Sequence, residues 1–278
     1  MTIIDLNQSS DLATFLGTAT EAARAAGEIA RQGFHQPRQI SFKGHKDIVT
    51  EADIACETAI IDIIQSRHPS HRILSEERGG VAALTEATGG DYVWIIDPID
   101  GTHNYAAQLP FWCISVALAH EGETVVAAVY DPIHEEIFTA VKGEGAKLNG
   151  KPITVSARTD LDDSLAACDI GYDDIISPRS LKIAQEVRPF VRRVRMLGSA
   201  VLAICYVAAG RIDLFFHLHL KPWDIAAAML IVKEADGKAT DFDGKDSTIK
   251  SKEIVTANPI IHADFLALPQ VSNTAHDG

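Results

Sequence analysis

One short segment constrains the fold more than any other: the apolar run at 92–96, which is followed at once by Asp97 and Pro98. A run of this length and composition predicts a buried strand. Proline has no backbone N–H and is rarely found inside a sheet, so Pro98 predicts a turn after Asp97. Asp100 and the flexible Gly101 lie just beyond. The two carboxylates can therefore face one point at the end of the strand.

The first half of the chain predicts pairs of helices beside a largely antiparallel sheet. Apolar residues at helical spacing predict an amphipathic helix over 12–31, capped by Ser10 or Asp11, and a second helix over 53–67. Alternating apolar runs and turn residues predict extended segments. These segments are 40–50, 111–119, 124–129 and the hairpins of 137–155.

After residue 159 short apolar runs alternate with helices, a pattern typical of α/β units. The predicted strands are 165–168, 193–196, 212–216 and 254–257, and the predicted helices are 177–187, 199–209 and 224–235. The change predicts two halves: an N-terminal α+β half, 1–158, with the metal-binding motifs, and a C-terminal α/β half, 159–278, that completes the active site. Since no flexible linker separates them, we expect the halves to pack closely.

Composition excludes several classes of protein. A net charge of −13 argues against a nucleic-acid-binding protein. The longest apolar stretch, about 200–209, is roughly half of what a membrane-spanning helix needs, so no membrane association is expected. Residues 1–10 lack the basic and apolar character of a signal peptide. The cysteines are scattered, which favours reduced thiols and a cytoplasmic location; they are Cys56, Cys113, Cys168 and Cys205.

The pair Asp97 and Asp100 points to metal chemistry. Two carboxylates this close repel unless they share a proton or a cation. Carboxylate oxygens are hard ligands that suit Mg²⁺, Mn²⁺ or Ca²⁺. The alternative is a turn in which the two aspartates only cap a helix. A nucleotide-binding strand of the Walker B type is excluded, because no G-x-x-x-x-G-K-[ST] motif occurs.

Two further acidic sites strengthen the metal hypothesis. Glu76 and Glu77 follow a short apolar run, and Asp224 stands at the start of a predicted helix. Taken singly, each is explained more simply as surface charge or as a helix cap than as a metal ligand. Together with Asp97 and Asp100 they form an oxygen cage that could hold two or three metal ions.

The chain resembles the inositol monophosphatase family of magnesium-dependent, lithium-sensitive sugar phosphatases. The resemblance rests on five segments, which are 47–53, Glu76-Glu77, 94–105, Gly198-Ser199-Ala200 and Trp223-Asp224. It implies a fold that joins α+β and α/β halves, namely the layered αβαβα sandwich of the inositol monophosphatase and fructose-1,6-bisphosphatase type. It also implies a homodimer, lithium inhibition, a small phosphorylated substrate and two to three Mg²⁺ ions in each active site.

The resemblance further implies a role for each matching residue. The expected metal ligands are Glu76, Asp97, the carbonyl of Ile99, Asp100 and Asp224. The expected catalytic residues are Thr102 and Asp53, which would orient the attacking water, with Glu76. The expected substrate contacts are Asp100, Gly101, Thr102, Gly198, Ser199, Ala200, His217 and Asp224.

The expected reaction is hydrolysis of inositol 1-phosphate or a similar sugar or polyol phosphate by metal-activated water. His217 stands where inositol-preferring members carry a glutamate, and a histidine ring cannot accept hydrogen bonds from sugar hydroxyls as a carboxylate does. The alternative substrates are fructose 1,6-bisphosphate, histidinol phosphate and 3′-phosphoadenosine 5′-phosphate. A regulatory binding protein without catalysis is a further alternative. His217 and His219 could bind a metal or serve the structure, and Lys43 and Lys46 could reach a phosphate or remain solvated.

Overall fold

A computed structural model of the protein describes residues 6–36, 40–43, 47–80, 90–171, 174, 176–269 and 271. The strands are β1 (Ile40–Phe42), β2 (Ile48–Thr50), β3 (Arg72–Ser75), β4 (Tyr92–Asp100), β5 (Cys113–His120), β6 (Glu123–Asp131), β7 (Glu136–Val141), β8 (Ala146–Leu148), β9 (Lys151–Pro152), β10 (Leu165–Cys168), β11 (Arg193–Met196), β12 (Leu214–His217), β13 (Lys238–Thr240) and β14 (Ile254–Ala257). The α-helices are α1 (Leu6–Gly33), α2 (Glu51–Arg67), α3 (Thr102–Ala106), α4 (Ile176–Val187), α5 (Ala200–Ala208), α6 (Pro222–Glu234) and α7 (Pro259–Leu266).

Strand β4 lies in a seven-stranded sheet with the order β3-β4-β5-β6-β7-β8-β9. Only β3 and β4 pair in parallel, and the other neighbours are antiparallel. On β4, Trp94 and Ile96 pack in a core with α1 and α2, while Val93 and Ile95 pack in a second core with α5 and α6. Helices cover both faces of this sheet, which explains why residues 92–96 of β4 form one continuous apolar run in the sequence.

The second sheet has five strands in the order β11-β10-β12-β14-β13. Strand β10 pairs in parallel with β11 and with β12, whereas β14 pairs antiparallel with β12 and with β13. The predicted α/β alternation therefore holds for only part of this sheet. Ala167 and Phe215 belong to the core with α5 and α6, whereas Ala166 and Phe216 belong to a third core with α4 and α7. The five layers are therefore helix, sheet, helix, sheet and helix, which confirms the predicted αβαβα sandwich.

The central helix layer explains a sequence feature of α5. Nearly every residue of this helix is buried, including Val201, Leu202 and Ile204. A helix that is apolar on all sides must be covered on all sides. Here the two sheets cover it from opposite directions.

Several helices and strands begin or end at other residues than predicted. Pro98 does not end the strand: β4 continues to Asp100 through an irregularity, with Asp97 opposite Ser115 and Asp100 opposite Cys113. Helix α1 begins at Leu6, so the predicted caps Ser10 and Asp11 lie inside it.

The two sheets fall on either side of residue 158, while the division into halves at that residue remains a prediction. Within the described part of the chain, no helix combines the length and apolar character needed to cross a membrane. All four cysteines are buried free thiols.

Candidate active site

Three aspartates from different parts of the chain meet at one end of the seven-stranded sheet. Asp97 and Asp100 come from the end of β4, and Asp224 comes from the first turn of α6. Each offers a carboxylate oxygen within 4.8 Å of the others. All three line a cavity of about 570 Å³. The irregularity in β4 accounts for the grouping, since it changes the strand's register between Asp97 and Asp100.

Glu76 reaches the same cavity through the pairing of β3 with β4. Ser75 lies opposite Ile96, and the Glu76 N–H donates to the carbonyl oxygen of Ile96 at 3.2 Å. This pairing places Glu76 beside Asp97. The Glu76 carboxylate accepts a hydrogen bond from the Lys43 ammonium at 2.7 Å, and Glu77 accepts another at 2.8 Å. Lys43 is thus the cation that neutralises this edge of the site, whereas Lys46 lies outside the described residues.

The electrostatics of the cluster favour a bound cation. Burial raises the pKa of Asp97 well above its ordinary value, and the charges of Glu76, Asp100 and Asp224 raise it further. Burial likewise raises the pKa of Asp224 far above its ordinary value and that of Asp100 to about 6. Crowded buried carboxylates of this kind are stabilised by protons or by metal ions. The all-oxygen donor set fits a hard divalent cation.

Helix N-termini hold two of these aspartates in place. The Lys221 N–H at the start of α6 donates to Asp224 Oδ2 at 2.7 Å. At the start of α5, the Val201 N–H donates to Asp100 Oδ2 at 3.0 Å, and the Ser199 hydroxyl donates to the same oxygen. Asp224 is therefore a cap, as one reading of the sequence proposed, and it also belongs to the cluster.

Asp53 and Thr102 form a buried pair beside the cluster. Asp53 closes the first turn of α2, where it accepts hydrogen bonds from the Thr50 N–H at 2.8 Å and the Thr50 hydroxyl at 2.6 Å. The Thr102 hydroxyl lies 3.1 Å from Asp53 Oδ1 and 3.0 Å from the carbonyl oxygen of Ile99. Burial raises the pKa of Asp53. With its proton directed to either acceptor, the Thr102 oxygen can accept a hydrogen bond from water.

Two glycines allow the loops that follow β4 and β11 to approach closely at the site. Gly101 has φ of +96°, and a Cβ there would lie 3.0 Å from the carbonyl oxygen of Gly198. Gly198 has φ of +78°, and a Cβ on it would lie 2.8 Å from the Asn104 amide. Asn104 in turn donates to the carbonyl oxygens of Phe111 and Leu197, each at 2.7 Å. A side chain at either glycine would push these two loops apart.

The expected substrate contacts divide into two groups. Seven of them line the cavity, which are Asp100, Gly101, Thr102, Gly198, Ala200, His217 and Asp224. The Ser199 hydroxyl instead accepts from the Leu202 N–H at 3.3 Å and donates to Asp100. Ser199 thus caps α5 and fixes a carboxylate.

His217 and His219 both line the cavity. Among the described residues, however, the one group of side chains spaced to hold a metal ion consists of aspartates only. His217 Nδ1 accepts the His219 N–H at 2.9 Å. Sequence reasoning missed Asp169, which also lines the cavity. A signal was present, since Asp169 directly follows a predicted strand just as Asp97 follows the run at 92–96.

Comparison with known proteins agrees with this geometry. A profile of the inositol monophosphatase family matches residues 11–273. The chain belongs to the inositol monophosphatase family. It is 38% identical over 274 residues to inositol monophosphatase 1 of Solanum lycopersicum, covering 95% of this chain and 98% of the relative. It is 40% identical over 263 residues to Nus factor SuhB of Escherichia coli strain K12, covering 91% and 94%.

A solved member of the family gives the same fold. Inositol monophosphatase II of Staphylococcus aureus, crystallised with inositol monophosphate bound, superimposes with a TM-score of 0.77 at 28% identity, covering 93% of this chain and 94% of that chain. The same protein was also solved with 2′AMP. Members of the family are phosphatases, and this chain is a phosphoric monoester hydrolase of that type.

Proposed function

We propose that this phosphatase hydrolyses a small phosphate monoester, most simply inositol 1-phosphate or another sugar or polyol phosphate, and that it depends on Mg²⁺. The observation that carries this proposal is the group of carboxylates at Asp97, Asp100 and Asp224, the first two buried and the third partly buried, with oxygens within 4.8 Å of one another. The cavity of about 570 Å³ beside them can hold a sugar phosphate.

The proposed ligands of two to three Mg²⁺ ions are Glu76, Asp97, the carbonyl of Ile99, Asp100 and Asp224. When bound, the ions would neutralise the phosphate and lower the pKa of a water molecule. Thr102, hydrogen-bonded to Asp53, would accept a hydrogen bond from that water and orient it. Gly101 and Thr102 would lie against the phosphate, with Gly198 and Ala200 against the leaving alcohol.

A rate comparison assigns most of the catalysis to the metal site. Enzymes accelerate the hydrolysis of phosphate monoesters by up to ~10²¹-fold. A positioned acid or base such as the Thr102–Asp53 pair contributes about 10²–10⁴. The cations that the carboxylates would hold, together with the positioning of the phosphate, would therefore supply most of the acceleration.

The family relationship supports further features of the proposal. Lithium inhibition, a homodimer and action in the cytoplasm are expected by analogy. Fructose 1,6-bisphosphate, histidinol phosphate and 3′-phosphoadenosine 5′-phosphate are the alternative substrates. The Staphylococcus aureus protein was solved with inositol monophosphate bound and with 2′AMP bound, which supports keeping a nucleotide among them.

The test is turnover by the purified protein on a panel of about twenty phosphate monoesters, with Mg²⁺ and with EDTA. We expect hydrolysis of sugar or polyol phosphates that stops with EDTA and returns when excess Mg²⁺ is added. Turnover that persists in EDTA, or a protein that hydrolyses no member of the panel with Mg²⁺ present, would contradict the proposal.

A regulatory role beside hydrolysis is the second candidate. It is favoured by 40% identity to a protein named Nus factor SuhB. Because every expected metal ligand is present, this role would accompany catalysis and not replace it. The test is complementation of an Escherichia coli strain that lacks SuhB by the wild type and by an inactive Asp97→Asn variant. Rescue by both supports the regulatory role, and rescue by neither argues against it.

A further inference from the structure

The carboxyl ends of three parallel strands form part of the cavity wall. In this sheet β10 lies between β11 and β12, and Cys168 is opposite both Met196 and Phe216. The residues at the ends of these strands, or within two positions beyond them, therefore lie side by side. They are Gly198 after β11, Asp169 after β10 and His217 at the end of β12, and all three line the cavity.

Asp169 offers an acceptor that the described residues leave unused. Its Oδ1 accepts the Gly198 N–H at 2.9 Å. Its Oδ2 is buried and has no hydrogen-bond partner among the described residues. Burial raises the pKa of Asp169 to about 6, against the lowering effect of the Gly198 and Leu197 N–H groups. A buried carboxylate oxygen in this state strongly favours a donor brought by a ligand.

His217 offers a donor to the same part of the cavity. Because its Nδ1 accepts the His219 N–H, the hydrogen of the neutral ring is on Nε2. Burial, together with the charge of His219, lowers the pKa of His217 to about 3, so the ring is neutral at physiological pH. At Gly171 an added Cβ would lie 3.5 Å from Cε1 and 3.9 Å from Nε2, so the glycine leaves room beside this edge of the ring.

We propose that Asp169 and His217 form a subsite that recognises hydroxyl groups on the leaving alcohol, with Asp169 as the specificity-determining acceptor. One hydroxyl donates to Asp169 Oδ2, and His217 Nε2–H donates to the same or a neighbouring hydroxyl oxygen. Asp169, just after β10, thereby supplies the carboxylate acceptor that a glutamate at position 217 would supply. This inference rests on the proposed phosphatase function.

The subsite also implies a preference among phosphates. A second phosphate at this position would bring its negative charge next to the Asp169 carboxylate. The neutral His217 ring cannot neutralise that charge. The subsite therefore selects monophosphates of polyols over bisphosphates such as fructose 1,6-bisphosphate.

The first experiment compares Asp169→Asn with the wild type on inositol 1-phosphate and on 4-nitrophenyl phosphate, which has no hydroxyl on its leaving group. Loss of a charge-assisted hydrogen bond should lower kcat/KM on inositol 1-phosphate about 10- to 100-fold more than on 4-nitrophenyl phosphate. The preference for inositol 1-phosphate over fructose 1,6-bisphosphate should narrow as well. Asp264→Asn, the same change at an exposed position of α7, is the matched control and should leave both ratios at the wild-type value.

The second experiment alters the substrate, so its first comparison needs only the wild type. The wild type should hydrolyse one of the single-deoxy inositol 1-phosphates at least about tenfold more slowly than the parent, and Asp169→Asn should not distinguish the two. A wild type that hydrolyses neither inositol 1-phosphate nor 4-nitrophenyl phosphate with Mg²⁺ would overturn the proposed function. A wild type that hydrolyses all deoxy analogues equally well, or an Asp169→Asn variant slowed equally on both esters, would overturn the subsite alone.

Discussion

Strand ends from both sheets border the cavity, and the two regions differ in their chemistry. At the end of β4, the buried Asp97 and Asp100 meet the partly buried Glu76 and Asp224, so that four carboxylates share one small volume. At the ends of β10 and β12, Asp169 is the one carboxylate among the described residues that line the cavity; its Oδ1 accepts the Gly198 N–H, and His217 is neutral. A residue that follows a strand is well placed in both regions. The number of carboxylates within reach decides whether the region binds cations or polar groups.

The largest expected effect tests the crowded region. Asp97→Asn removes one charge from the centre of the cluster, so cation binding should fail and turnover should fall by on the order of 10³-fold or more, since even one uncharged stabilising donor is worth about 10²–10³. The metal-free variant should melt at or above the wild-type temperature, because repulsion among buried carboxylates is relieved.

These outcomes are measured by steady-state kinetics with Mg²⁺ and by thermal melting in EDTA. The matched control is Asp62→Asn on the exposed face of α2, which should behave as the wild type in both assays. Full activity in purified Asp97→Asn would remove this residue from the set of metal ligands.

A smaller effect is expected where the two regions are joined. Ser199 caps α5 and also donates to Asp100, so Ser199→Ala should lower the free energy of unfolding by about 1 kcal/mol. It should lower kcat by roughly tenfold, with KM nearly unchanged, because Asp100 loses a donor but the substrate loses no contact. Ser199→Thr, which keeps the hydroxyl, should restore most of the activity. A rise in KM alone would instead make Ser199 a substrate contact, as the sequence resemblance implies.

Lys43, the lysine that bonds to carboxylates of the crowded region, gives a third test. Lys43 bonds to Glu76 and Glu77, and although burial lowers its pKa, these carboxylates raise it above its ordinary value. In Lys43→Met a metal ion no longer competes with the ammonium, so Mg²⁺ should bind about 3- to 10-fold more tightly, measured by calorimetry. Lys43→Arg is the charge-preserving control. Weaker Mg²⁺ binding by Lys43→Met would show that Lys43 supports the metal site.

The smallest effect concerns a histidine that is neutral for the same reason as His217. Trp94 Nε1–H donates to His71 Nδ1 at 3.1 Å, and burial, with the charge of His68, lowers the pKa of His71 from 6.5 to about 4. The unfolded chain binds more protons between these pH values, so stability should fall as pH drops from about 6.5 to 4. The ring is partly exposed, so we expect a loss of about 1 kcal/mol after screening.

Denaturant unfolding at pH 7 and pH 5 measures this change. His71→Gln should reduce the difference between the two pH values, while His120→Gln, at the other end of the same stack of rings, serves as the control. An identical pH dependence in His71→Gln and the wild type would mean that other groups cause the loss of stability.

Much of the fold could be predicted because the apolar periodicity was strong. The sequence correctly predicted the helices at 12–31 and 53–67 and the strand at 92–96. Their observed ends differ from the predicted ones for local reasons. Helix α2 begins at Glu51 because Thr50 caps it and Asp53 closes its first turn. Strand β4 continues past Pro98 because the sheet accommodates the proline at an irregularity in the pairing. The short strand β13 and the helix α7 were missed, although Asn258 and Pro259 mark the start of that helix.

The two regions of the cavity differed in how far the sequence predicted them. The sequence motifs contain the four carboxylates of the crowded region, which are Glu76, Asp97, Asp100 and Asp224. Both the ligand chemistry and the family resemblance therefore pointed to them. Asp169 stands in no motif. Its importance depends on the parallel pairing of β10 with β11 and β12, a long-range arrangement that local periodicity does not contain. Likewise, the use of Ser199 as a cap and as a donor to Asp100 depends on contacts between residues 99 positions apart.

The central claim is that the carboxylates of Asp97, Asp100 and Asp224, with Glu76, bind divalent cations. The most direct test is a crystal grown with Mn²⁺ and measured for anomalous scattering. We predict anomalous peaks bordered by these carboxylates, with Lys43 moved away from Glu76. A map without a peak among these side chains, from protein that hydrolyses phosphate esters in the same Mn²⁺ solution, would contradict the claim.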